Sequence, residues 1–157
     1  MAIWRIFSKF VTCYIFHYEL INHIAMEAIQ KVYDFIEEVH NYYLATVEGD
    51  QPRVRIYGTI LLFEGKLYIM AFSKSAATFQ LAANPKFEIC AFKGKTLRLS
   101  GKLNLDERQE VKDAMLAKAP ALKAAVGENG AGAQMYYISE ATAIFSDLKG
   151  NSETLNF

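Results

Sequence analysis

Apolar positions along this chain change their spacing several times, and each change marks an element. From Met26 to Val39 they fall at Ile29, Val32, Tyr33, Ile36 and Val39, with Glu27, Lys31, Asp34, Glu37 and Glu38 mostly between them. Steps of three and four predict an amphipathic helix. His40-Asn41 ends it. Tyr42 to Val47 is β-branched and aromatic, which predicts a strand, and Glu48 to Gln51 holds Gly49 and Asp50 for a turn. Arg53 to Phe63 reads as a second strand. Its later half is apolar on both faces, so a central position is predicted. Gly58 marks a bulge or a close backbone approach. Glu64-Gly65 turns the chain and Lys66 to Phe72 returns antiparallel.

Ser73 is placed to cap a short helix running through Ala83 and ended by Asn84-Pro85. Phe87 to Phe92 predicts a strand, Lys93-Gly94 a turn, and Thr96 to Leu105 a well-alternating strand with Leu97, Leu99, Leu103 and Leu105 on one face. Asp106 is the expected cap of a helix to about Ala117. Pro120 opens another helical turn, and Gly127 to Gly132 is a loop. Met135 to Phe145 is the last long strand, followed by a polar tail with Leu148, Leu155 and Phe157 as anchors. Six strands joined mainly by hairpins predict a mainly β, α+β domain over residues 26–157. A small antiparallel barrel suits them better than a doubly wound sheet.

Composition narrows the class. The chain has 157 residues, 52% hydrophobic, enough for one core and too few for two comfortable ones. Its 17 basic and 17 acidic side chains cancel, so no general attraction to nucleic acid or anionic membrane is expected. Cys13 and Cys90 lie in unrelated contexts, with no metal spacing, which suits a reducing, cytoplasmic setting. Residues 1–25 form an extension of different character. Arg5, Lys9 and Glu19 interrupt it, and its longest uncharged run, Phe10 to Tyr18, is too short for a membrane span, so no stable insertion is expected. A signal segment without a cleavage site, a helix packed on the domain, and a true start at Met26 are the three readings.

Three stretches carry candidate chemistry. Alternation puts Arg53 and Arg55, flanking Val54, on one strand face, where two guanidinium groups can hold a phosphate. Solvated surface arginines are the plainer reading. Ser73-Lys74-Ser75 runs into a helix, with Gln80 reaching back, and offers hydroxyls, an ammonium and free N–H groups as a phosphate cradle. Ordinary capping is the alternative there. Thr96, Arg98 and Ser100 share the face opposite the leucines, and Arg98 needs either an anion or a surface carboxylate. There is no nucleophile elbow and no Walker or Rossmann glycine pattern. His17, His23 and His40 all precede the first barrel strand, which leaves no histidine for acid–base work inside it.

Taken together, YYLATVEGDQPRVR, GKLYIM, QLAANPKFEI, TLRLSGKL, DERQEVKDAM and FSDLKGNSETLNF resemble the FMN-binding split-barrel proteins, the pyridoxamine 5′-phosphate oxidase-like family, in its nitroimidazole-resistance-like branch. The resemblance covers nearly everything from Met26 onward. It implies a homodimer of six-stranded split barrels with FMN in two grooves at the interface. By position, Arg53 and Arg55, with the backbone of Val54, Ile56 and Tyr57, would face the ring and phosphate. Ala71, Phe72, Ser73, Lys74 and Ser75 would line the ring edge and phosphate, Gln80 would contact the ring, and Thr96 and Arg98 would come from a neighbouring strand. The implied activity is reduction of a small electrophile with electrons from NAD(P)H. A flavin-binding or sensing protein without turnover, or a binder of deazaflavin or haem in the same groove, is the alternative. Two departures stand out. Ile56 replaces a proline, and Ser75-Ala76-Ala77-Thr78-Phe79 stands where the family carries more lysine.

Overall fold

The computed structural model describes residues 2–157, with side chains from His17 onward. Helix α1 (Ala2–Val39) buries Ala28, Ile29, Val32 and Ile36, on the face the helical spacing picks out. It begins well before Met26, so it is longer than its amphipathic stretch. Tyr18, Leu20, Ile21 and Ile24, ahead of Met26, are exposed. The signal-segment reading rests on residues whose side chains lie outside the described ones. Among the described residues no helix is long and apolar enough to cross a membrane.

Eight strands follow: β1 (Tyr42–Glu48), β2 (Gln51–Tyr57), β3 (Leu61–Phe63), β4 (Lys66–Phe72), β5 (Lys86–Lys93), β6 (Lys95–Asp106), β7 (Ala133–Asp147) and β8 (Ser152–Asn156). They form one sheet in the order β2-β1-β5-β6-β7-β4-β3, with β8 also on β7, and all pairings are antiparallel. The fold is therefore a mainly antiparallel split barrel with flanking helices. It has eight strands where six were expected, and the sheet does not close.

The two extra strands have separate causes. Arg53 to Phe63 is not one central strand. β2 pairs with β1 and β3 with β4, so the chain crosses from one edge of the sheet to the other between Tyr57 and Leu61. The Tyr42 hydroxyl donates to the Thr59 carbonyl at 2.7 Å, holding the crossing segment. A Cβ at Gly58 would sit 3.3 Å from Asn41 Oδ1, the close approach its glycine suggested. The apolar run around Ile60-Leu61 reflects two cores, not a central strand: Ile60 joins the barrel interior and Leu61 a second cluster. The other extra strand, β8, lies in the polar tail.

β7 divides the barrel. Ala133 to Tyr137 pairs with β4, whereas Thr142 to Ser146 pairs with β8. The β6–β7 register shifts between Ser100 and Lys102. A Cβ on Gly101 would stand 2.7 Å from the Ser139 carbonyl oxygen, so only glycine fits this bulge. Inside the barrel, Leu44, Ile69, Ile89, Leu97 and Leu99 share one core with Ile29, Val32 and Ile36 of α1. Outside it, helix α3 (Gln109–Lys118) sets Val111 and Met115 against Leu61, Tyr68, Met70 and Met135. β4 is thus buried on both faces. Leu105, the last of the four alternating leucines, is exposed at the end of β6.

Two caps differ from expectation. Helix α2 (Ala76–Ala83) is capped by Ser75, whose Oγ accepts from the Thr78 amide at 3.4 Å, and not by Ser73. Asp106 ends β6, and Arg108 occupies the N-cap of α3 without a side-chain cap bond. The Asp106 carboxylate is taken by Arg108 instead, through the backbone amide at 3.0 Å and the guanidinium at 2.9 Å. A 3-10 turn (Pro120–Leu122) and helix α4 (Lys123–Val126) complete the excursion before β7.

Candidate functional site

A cleft of about 440 Å³ opens between the end of β2, the end of β4 and the start of α2. Arg55, Ile56, Tyr57, Gly58 and Thr59 form one wall, and Met70 and Phe72 the other. Ser75, Ala76 and Ala77 close the helical end, and Leu122 reaches in from the 3-10 turn. The walls are largely apolar, while the polar groups gather at the end where β2 meets α2. A planar aromatic body with one anionic or carbonyl-rich edge suits such a lining.

Arg55 is the centre of that polar end. Its Nη1 donates to Thr46 Oγ1 at 2.7 Å, and its Nη2 donates to Gln80 Oε1 at 2.7 Å. Thr46 in turn donates to the same Gln80 oxygen at 2.6 Å. Thr46 and Gln80 are both buried. The local reasons are simple. Thr46 sits on the inward face of β1 and lies diagonally across from Arg55, because the register pairs it with Arg53. Gln80 comes from the buried face of α2, which Ser75 starts at the right turn.

The other arginines with described side chains are all matched to carboxylates. Arg53 binds Glu48 at 2.6 Å, Arg98 binds Glu88 at 2.6 Å, and Arg108 binds Asp106 and Glu64 at 2.9 and 2.8 Å. Among the described residues Arg55 has only neutral oxygens as partners. Its charge is aimed but not cancelled.

Tyr57 stands on the same wall, its ring 5.9 Å from that of Tyr42. Burial pushes its hydroxyl above the usual phenol range, with Arg55 pulling the other way and Tyr136 adding to the rise. It is a neutral phenol at ordinary pH, able to donate a hydrogen bond.

Of the residues singled out in the sequence, the structure brings Arg55, Ile56, Tyr57, Phe72 and Ser75 into the cleft and places Gln80 behind Arg55. Arg53 lies on the same strand face but turns to Glu48, and Val54 points from the opposite face into solvent. Ala71 is buried in the core beside the cleft. The Ser73 amide donates to the Gly132 carbonyl at 2.9 Å, and its side chain borders a smaller hollow with Asp106 and Lys112. Lys74 is exposed at the turn. Thr96 and Arg98 lie on β6, two strands beyond β1, and within one chain they do not reach the cleft. Sequence reasoning missed Thr46, Met70 and Leu122. Only Thr46 left a signal, as the one aliphatic hydroxyl on the face of Tyr42 and Leu44.

No family model and no curated protein sequence matches the chain. Solved structures do. A NimC/NimA family protein from Clostridium acetobutylicum is 33% identical, with a TM-score of 0.82 over 87% of this chain and 96% of that one. The general stress protein 26 of Bacillus anthracis has a TM-score of 0.63 at 16% identity, covering 83% of this chain and 98% of that one. A pyridoxamine 5′-phosphate oxidase-related, FMN binding protein from Nostoc punctiforme has a TM-score of 0.55 at 16% identity, covering 83% and 95%. The last two share the fold. With the first, the likeness extends to a third of the residues over nearly its whole length, and on that ground the chain belongs to the NimC/NimA family.

Proposed function

We propose that the cleft binds FMN and that the protein is a flavin-dependent oxidoreductase, taking electrons from NAD(P)H and delivering them to a small electrophile. The observation that carries this reading is Arg55, an uncompensated cation at the polar end of an apolar cleft. The related protein from Nostoc punctiforme, of the same fold, is described as FMN binding. The bound flavin would supply the redox chemistry. Ile56, Met70 and Phe72 would exclude water from its ring. Arg55 would neutralise its phosphate, and Ser75 would add a hydroxyl. Tyr57 would donate a hydrogen bond without giving up its proton.

The outer face of the sheet supports a homodimer. Tyr43, Val54, Ile56 and Phe92 are each more than half exposed, and the register puts them on one face of β2, β1 and β5. Ile56 belongs both to that face and to the cleft. A second copy packed there would cover the cleft mouth, and it is the natural source of any contact from Thr96 or Arg98.

A second reading, binding without turnover, is favoured by one feature. Among the described residues Tyr57 is the only phenol or acid lining the cleft, and burial pushes its hydroxyl further above the usual phenol range. Steady-state oxidation of NADH or NADPH by the FMN-loaded protein, with a nitroaromatic or a quinone as acceptor, separates the two. Acceptor-dependent turnover supports the oxidoreductase. FMN-loaded protein with no turnover on any acceptor points to the binding role.

A further inference from the structure

We propose that Gln80 is a positioning residue whose neutral amide keeps Arg55 aimed into the cleft with its charge unspent, so that Gln80 controls how strongly the cleft prefers an anionic ligand. The inference rests on the flavin reading for the ligand's identity, but the geometry stands apart from it.

The hydrogen bonds around Arg55 form a closed ring with one consistent direction. A guanidinium only donates, so Thr46 Oγ1 must accept from Arg55 Nη1. The single Thr46 proton is then free to go to Gln80 Oε1, 2.6 Å away. The same oxygen accepts Arg55 Nη2 at 2.7 Å, which occupies both of its lone pairs. The side-chain amide of Gln80 is therefore fixed with its oxygen toward Arg55, and it is 5% exposed. So placed, the Gln80 oxygen acts on the guanidinium and on Thr46.

Chemistry at this position has an obvious alternative. A glutamate would accept the same two bonds in the same shape. It would also form the carboxylate pair that Arg53, Arg98 and Arg108 already have. The glutamine holds the guanidinium as a carboxylate would, without cancelling it. Among the described residues the cleft lining offers no other cation to make up the difference. A charge-assisted bond to one phosphate corresponds to roughly 10- to 100-fold in affinity.

The test compares FMN with riboflavin, which differ by the phosphate. Full-length protein stripped of ligand, Gln80→Glu, Gln80→Met and Thr46→Val are each titrated with both flavins by fluorescence. The parent should prefer FMN by roughly 10- to 100-fold. Gln80→Glu should bring that ratio close to one while riboflavin affinity stays within about twofold, a pattern that damage to the fold would not produce. Gln80→Met and Thr46→Val should lower the ratio by releasing Arg55, so either serves if Gln80→Glu fails to fold. An unchanged ratio in the folded variants overturns the proposal. If the parent binds neither flavin, the flavin reading fails by itself, and a second measurement decides. Inorganic phosphate is titrated into ligand-free protein while the Arg55 side-chain ¹⁵N–¹H resonances are followed by NMR. A saturable shift in the parent that Gln80→Glu lacks supports the inference. Equal shifts in both, or none in either, overturn it.

Discussion

At the scale of single residues, the contrast between Arg55 and its neighbour two positions earlier carries most of the meaning. Both sit on one face of β2, and the sequence alone does not separate them. Arg53 is spent on Glu48, whereas Arg55 is held by Thr46 and Gln80. Arg55→Ala should therefore weaken FMN binding by roughly 10- to 100-fold, while Arg53→Ala should change it by less than about threefold. Equal losses, measured by fluorescence titration, would contradict the assignment. Arg55 was legible because alternation is a local rule, Tyr57 came only with the resemblance, and Ser75 was named within Ser73-Lys74-Ser75 while the cap itself was placed two residues early. Thr46 was half legible, and Leu122 was not, because its place in the cleft depends on how a distant helical excursion packs. A separate residue-scale effect lies outside the cleft. The Arg108 guanidinium, opposed by partial burial and aided by the Arg108 amide and Tyr68, holds the Asp106 carboxyl down at about 2. An unfolded aspartate titrates near about 3.9. The depressed carboxyl thus adds stability above about pH 4 that is lost as pH falls toward the folded value. The gap in unfolding temperature between the parent and Asp106→Asn should be open at pH 7 and close on approach to pH 2. A gap constant over that range would count against the Arg108 contact.

At the scale of elements, the chain was readable wherever periodicity and turn chemistry agreed. α1, β1, β5 and β6 follow their apolar spacing, and the glycine turns at Gly65 and Gly94 have positive φ, as such turns need. The stretch from Arg53 to Phe63 was misread as one strand for a physical reason. An apolar run says that both faces are covered but not by what. Here the chain changes partner strand, and only its apolar end is covered, Ile60 in the barrel and Leu61 under α3. β8 escaped notice because an edge strand open to solvent needs no apolar alternation, and most of its residues are exposed. The bulge at Gly101 is the element-scale feature most sensitive to mutation. Gly101→Ala would press a methyl onto the Ser139 backbone, where no flexible side chain can give way. A loss of about 1–3 kcal/mol in chemical denaturation is expected. A stability within about 0.5 kcal/mol of the parent would show that β6 and β7 can re-register there.

At the scale of the whole molecule, the cleft and the outer sheet face belong together. The first residue shared by both is Ile56, and the apolar strip beside it continues through Tyr43 toward Phe92. A monomer leaving these side chains in water would expose a sizeable patch, of the kind that marks an interaction site. Val54→Asp adds a charge to that face on the side of β2 away from the cleft-lining Arg55. It should turn a dimer into a monomer in sedimentation or light scattering at about 10 μM and slow FMN uptake, with the fold intact by circular dichroism. A parent that is already monomeric would remove the interface from the account.

The central claim remains that a cation held by neutral partners at the end of an apolar cleft receives a flavin phosphate. The most direct measurement is the visible spectrum of the purified protein together with a titration of the stripped protein by FMN. The account predicts flavin absorption in the first case and saturable fluorescence quenching, one FMN per chain, in the second. A colourless protein that leaves the fluorescence of added FMN unquenched would contradict it.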